Sequence, residues 1–296
     1  MKTALLTLLA SVAVSTAQAS QVQLGLELSG LEPMKGQHYE GWNIVDGAAL
    51  STGRFSIGKD GGVYLVNAMG KSLKKVGQNG HASFPVDRSH LKASLFVLTI
   101  EPNGDTDMGP SDVHVMGGDY SRRQASLSVA HGSSIATDFA AAQGSFILAA
   151  PTGGMPNQGV WFLNPGNGQG SLSLPSLPDG WAYEGWIVNT ENGGKFSTGV
   201  FKDATLADSD NAGPLAGPLK LNFPKVPGQD IVRTPVVLDD GIHAIVVTVE
   251  PYPDFDPAPY AIKILMAGVY ANAPGMTPMM LNNISDTVPS GQAHLH

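Results

Sequence analysis

Apolar residues recur at every second position in "QVQLGLELSGL", Gln21 to Leu31, the period of a half-buried strand. The same alternation runs through "SLSLPSLP", Ser171 to Pro178, and each stretch leads into a Tyr-Glu-Gly-Trp segment. Alternation sets Tyr39, Gly41 and Asn43 on one face and Glu40, Trp42 and Ile44 on the other. Tyr183, Gly185 and Ile187 oppose Glu184, Trp186 and Val188 in the same way, so Trp42 and Trp186 are matched core candidates. A turn follows in each case, then Ser-Thr-Gly-x-Phe at Ser51 to Phe55 and at Ser197 to Phe201. That order predicts a hairpin in which glycine relieves backbone crowding.

Two dense apolar runs, "ASLFVLTIEP" ending at Pro102 and "HAIVVTVEP" ending at Pro251, are rich in β-branched residues. They read as central strands buried on both faces. Closing strands "DVHVMGGDY" and "IKILMAGVY" end in Gly-x-Tyr at Tyr120 and Tyr270. Four landmarks thus recur in one order, and a whole fold is duplicated. The pattern predicts an all-β chain of two tandem Ig-like β-sandwich domains, residues 20–124 and 166–270, joined by connecting strands over 125–165. Residues 271–296, rich in Pro, Asn, Ser and Met and without clear periodicity, are expected to form a loose tail.

The opening "MKTALLTLLASVAVSTAQAS" has Lys2, an apolar run from Ala4 to Val14 and a small-residue Ala17-Gln18-Ala19 site, which predicts a secretory signal peptide over 1–19. That run falls short of the roughly 18 residues of a membrane-spanning helix, and no later stretch reaches it. The mature chain is therefore expected to be exported to the periplasm or cell envelope of a bacterium, without a transmembrane segment. With no cysteine there is no disulfide, so stability must come from a core or from bound ions. A net charge of -8 argues against nucleic acid as a partner and favours cations.

Candidate chemistry falls into two groups. Glu-Pro-x-x-Asp-x-Asp occurs in both copies, as Glu101, Asp105, Asp107 and as Glu250, Asp254, Asp256, and "DSDNAG" adds Asp208 and Asp210. Hard oxygen ligands on turns suit calcium, although Asp is also an ordinary turn former. The second group is histidine: His38, His81, His90, His114 and His131 all fall in the first half, and where the copies align the second has Ala182 for His38 and Ile264 for His114. Imidazole suits copper, as does the thioether of Met116, which alternation places on the face of His114. His294 and His296 would share a face if the tail were extended. Gly-x-Ser-x-Gly, His-Glu-x-x-His, a phosphate loop and a cysteine nucleophile are all missing from the sequence.

The Tyr-x-x-Trp strand, the Ser-x-Gly hairpin and the apolar strand ending in Glu-Pro resemble the extracytoplasmic domain of anti-sigma-K-type factors, over about 40–120 and again over about 183–270. The resemblance implies an all-β sandwich outside the cytoplasmic membrane. It does not imply the signalling function, which needs a cytoplasmic sigma-binding segment and a membrane helix. After Glu-Pro, where that family tends to glycine, this chain has "NGDTD" and "YPDFD". The histidines give a second, thinner similarity, to copper-only superoxide dismutases, whose clustered histidine strand motif and disulfide this chain lacks. Three functions are expected in descending order. The first is a non-catalytic exported module that binds an envelope or surface-layer protein through loops or strand edges. The second is a copper-dependent oxidoreductase of superoxide-dismutase type, and the third a calcium-stabilised surface-layer accessory protein.

Overall fold

In the computed structural model, which describes residues 21–219 and 224–296, the alternation of the first copy becomes nine strands. They are β1 (Gln21–Ser29), β2 (Gln37–Val45), β3 (Ala48–Ile57), β4 (Gly62–Val66), β5 (Ser72–Gln78), β6 (His81–Asp87), β7 (Leu95–Pro102), β8 (His114–Asp119) and β9 (Gln124–Ser128). The connection supplies β10 (Gln143–Leu148), β11 (Gly159–Trp161), β12 (Leu163–Asn164) and β13 (Gln169–Gly170). The second copy contributes β14 (Leu172–Ser173), β15 (Trp181–Asn189), β16 (Lys195–Phe201), β17 (Gly228–Asp230), β18 (His243–Pro251) and β19 (Ile262–Val269). Three further strands follow, β20 (Met279–Met280), β21 (Asn282–Asn283) and β22 (Ser290–Leu295). The signal peptide expected over 1–19 lies outside the described residues. Among those residues no helix is long and apolar enough to cross a membrane.

The chain is all-β, but the first copy is not a plain sandwich. Ten strands close in the order β1-β22-β9-β8-β7-β2-β3-β4-β5-β6, with β6 pairing back onto β1. Closure removes the unpaired edges that would otherwise template association. The second copy forms an open sheet, β16-β15-β18-β19-β21, beside a sheet ordered β14-β10-β11-β17 to which β20 adds on β10. One buried cluster runs through everything: Leu24, Tyr39 and Phe96 from the first copy, Phe146 and Phe162 from the connection, Tyr183 and Ile245 from the second, and Ala293 and Leu295 from the end of the chain.

Four sequence expectations change. Residues 271–296 are not a loose tail: β20, β21 and β22 pair with β10, β19, and both β1 and β9 respectively. The alternation there is real but carried by small side chains, with Ala293 and Leu295 inward and Gln292 and His294 outward. "SLSLPSLP" yields only the two-residue β14, because Pro175 and Pro178 have no N–H to donate to a ladder. Trp42 and Trp186 are buried, yet on the face opposite the Tyr39 and Tyr183 rings that join the main cluster. Their indoles donate to Thr99 Oγ1 at 2.9 Å and Thr248 Oγ1 at 3.0 Å. Finally, a bulge in each closing ladder sets His114 opposite Thr99 and Lys263 opposite Thr248, so Lys263 rather than Ile264 is the counterpart of His114. The same bulge puts Met116 opposite Leu98, on the barrel interior and away from His114.

The duplication is otherwise exact in register where it matters for the site. Across β2 and β7, His38 faces Glu101 and Glu40 faces Thr99; across β15 and β18, Ala182 faces Glu250 and Glu184 faces Thr248. On the other side Glu40 faces Arg54 of β3, and Glu184 faces Val200 of β16.

Removing residues 290–296 should open the barrel by exposing β1 and β9 together. Circular dichroism should show loss of the cooperative unfolding transition, and a peptide spanning residues 284–296 added in trans should restore it. A truncated chain that melts as the full chain does would show that β22 is dispensable.

Candidate metal centre

Burying a carboxylate costs several kcal/mol unless a cation or several donors compensate it. Each copy buries two glutamates at the same places in the same strands: Glu40 and Glu101 in the first, Glu184 and Glu250 in the second. Local hydrogen bonds recur almost atom for atom. Ser51 Oγ donates to Glu40 Oε1 at 2.5 Å, and Ser197 Oγ donates to Glu184 Oε1. Thr99 donates to Glu101 Oε1, and Thr248 donates to Glu250 Oε1. Beyond the Glu-Pro turn, the backbone N–H of Ser111 reaches Glu101 at 3.0 Å, and that of Tyr260 reaches both Glu250 oxygens at 2.9 and 3.0 Å.

The copies part over positive charge. In the first, Arg54 Nε binds Glu40 Oε2 at 2.7 Å, and His38 stands across the ladder from Glu101. In the second, Val200 replaces Arg54 and Ala182 replaces His38. Glu184 Oε2, the oxygen matching the one Arg54 holds, is buried and has no hydrogen-bond partner, on a residue only 4% exposed. Asp254 joins the two glutamates, and one oxygen from each of Glu184, Glu250 and Asp254 lies within 4.8 Å of the others. Oxygens on opposite sides of one calcium stand about as far apart, since Ca–O bonds are about 2.3–2.6 Å.

Burial pushes the Glu184 carboxyl up to about 7 against the lowering effect of Ser197, and the charges of Asp254 and Asp210 add to the rise. Burial likewise raises Glu250 to about 8 despite Thr248 and Tyr260, with Glu184 and Asp254 contributing, and it raises Asp254 as well. A dication in the middle would reverse all three. Beside the cluster lies a cavity of about 90 Å³ lined by Glu250, Asp254 and Asp256 from one side and by Glu32 and Gln37 from the first copy. The loop walling it is fixed to the first copy: Lys263 Nζ binds Glu32 Oε1 at 2.8 Å, Asp256 Oδ2 accepts from the Lys35 N–H at 3.0 Å, and the Tyr39 and Tyr260 hydroxyls lie 3.4 Å apart.

Of the aspartates expected to bind calcium, Asp254 is the one brought into this cluster, beside Glu250 of the same motif. Asp105 Oδ1 accepts from the N–H of Asp107 and Asp107 Oδ1 from that of Gly109, so both are turn formers. Asp256 Oδ2 accepts from the backbone N–H of Lys35 in the loop between β1 and β2. Asp208 holds the N–H of Asp210 at 3.2 Å and of Gly228 at 2.8 Å, pinning a loop to β17, and burial raises its carboxyl. No three of the expected copper ligands lie within joint ligating reach among the described residues. His38 is buried and donates from Nδ1 to Asn103 Oδ1, while His90 is buried on the Asn43 amide, which donates to its Nδ1. Burial lowers the His90 imidazole. His114 donates from Nδ1 to the Ser133 carbonyl, His131 pairs with the Ser133 hydroxyl, and His81 lies on the outer barrel wall. Among the described residues the carboxylate trio is the one group of three or more His, Cys, Asp or Glu side chains within joint ligating reach. Sequence reading missed Glu184, because alternation grouped it with Trp186 as a core-facing residue. The usable signal was the loss of His38 and Arg54 between copies.

No protein-family model matches the chain, and no curated protein matches it.

In chelator, the folded chain keeps protons on Glu184 and Glu250 over a range where the unfolded chain has lost them. Their stabilising contribution is complete below the usual carboxylate range and disappears as pH rises through about 7 and 8. The melting temperature of metal-free protein should therefore fall between pH 5 and pH 8. Glu184→Gln should flatten that fall; an equal slope in this variant would remove Glu184 as its origin.

Proposed function

We propose that this chain is a non-catalytic, exported envelope module whose second copy is braced by a calcium ion held by Glu184, Glu250 and Asp254. The observation that carries the reading is the buried, unpartnered Glu184 oxygen at the place where the first copy has an arginine. Oxygen-only ligands of mixed origin, with a small cavity to admit water for the remaining positions, suit calcium better than a metal that favours nitrogen or sulfur. Asp254 lies in the "YPDFD" loop, which turns Tyr252 and Phe255 outward at 50% and 52% exposure. Aromatic side chains of this kind anchor protein partners when their backbone is held still. The ion would thus set the shape of a loop that an envelope or surface-layer protein recognises. The anti-sigma-K-type resemblance, which implies an extracytoplasmic β module, supports the same reading.

The decisive experiment compares chelated and calcium-saturated protein by calorimetry, together with Val200→Arg. Calcium should bind once per chain and raise the melting temperature by several degrees. Val200→Arg, which copies the Arg54 arrangement, should raise the melting temperature of the chelated protein and abolish the response to calcium. Superimposable melts with and without calcium in the unsubstituted chain would defeat the proposal.

A further inference from the structure

On the outer wall of the barrel β1 lies between β6 and β22, with cross-strand rows His81, Glu27, Gln292 and Ser83, Gly25, His294. Gln23 exchanges backbone hydrogen bonds with His296 at the next row. Period two sends His294 and His296 outward together while Ala293 and Leu295 enter the core. Their rings stack, with centroids 6.2 Å apart and planes 18° from parallel. A trough of about 360 Å³ opens here, lined by Glu27, His81, Ser83, His294 and His296.

Its floor is Gly25. The backbone does not call for glycine at this position, since Gly25 lies in mid-strand and outside the left-handed region. Glycine weakens a strand interior, and where conformation does not require it, it marks close approach of a ligand or of another backbone. A Cβ added at Gly25 would stand 3.8 Å from His296 Nε2 and 4.0 Å from His294 Cβ, so any longer side chain would grow into the space under the imidazoles.

We propose that His294 and His296 form a surface site for a transition-metal dication, Cu²⁺ in preference to Zn²⁺ or Ni²⁺, over the floor left open by Gly25. Imidazole suits all three metals, and Cu²⁺ stands highest in the affinity order. The rings stand 6.2 Å apart as a near-parallel pair, and rotation of both side chains out of the stack would aim one nitrogen of each at a metal with bonds of about 2.0–2.1 Å. His81 and Glu27 line the facing wall, and water completes the shell. The site shares no residue with the carboxylate cluster.

The test is titration of the tag-free full chain with CuCl₂ in the presence of saturating calcium, read by calorimetry and by electron paramagnetic resonance. One Cu²⁺ per chain with nitrogen hyperfine coupling is expected. His296→Ala should weaken binding at least ten-fold, and His294→Ala with His296→Ala should abolish it. Gly25→Leu, which keeps every imidazole, should also weaken it at least ten-fold, whereas Glu184→Gln should leave it unchanged. Wild-type affinity in the double variant, or copper bound without nitrogen coupling, overturns the proposal. Should the double variant fail to fold, the wild-type spectrum and Gly25→Leu decide, with unchanged affinity in the latter counting against it.

Discussion

The barrel closes because the last strand of the chain, Ser290–Leu295, fits between β1 and β9. Without that strand the Leu24, Leu26 and Leu28 side of β1 and the Ala125 and Leu127 side of β9 would have no neighbour to complete the interior. The insertion also threads the second copy into the framework of the first, since everything from β10 to β21 is spanned by a segment whose two ends belong to one barrel. A shared buried cluster follows from this constraint. So does the fixed seam at which Tyr39 meets Tyr260 and Lys263 meets Glu32.

Within that framework the two copies solve one electrostatic problem in different ways. Both place glutamates under a tryptophan-threonine pair, and both anchor them with hydroxyls from the same strand positions. The first copy pairs Glu40 with Arg54, and His38 stands across the ladder from Glu101, whose Oε2 has no hydrogen-bond partner. The second copy has aliphatic residues at both places and adds Asp254, and none of the salt bridges among the described residues reaches this trio, although Lys195 lines the cavity beside it. Acids in both copies with a base beside them in only one is the asymmetry on which the proposed calcium site rests.

Local periodicity made much of this legible. The alternation of β1 and the dense runs of β7 and β18 are set by residues near in sequence, and the structure places both runs at the centre of their sheets. Barrel closure was hidden because it joins residues at opposite ends of the chain, and because β22 alternates with Ala and Gly in place of large side chains. The candidate centre was half visible. Glu250 and Asp254 sit in a repeated motif, whereas Glu184 comes from a different strand and looks like any core-facing position until its partner across the ladder is known. The histidine asymmetry was real in the sequence, but no three of these imidazoles lie within joint ligating reach among the described residues.

The place of β22 in the chain also imposes an order in time. Nine strands of the barrel precede β22 along the chain, and the edges of β1 and β9 stay open until β22 has been made. Contacts between such distant parts of a chain are slow to form, because a long loop must close before any pairing rewards it. A polypeptide built in this way keeps the first nine strands of its barrel unlocked until β22 reaches them.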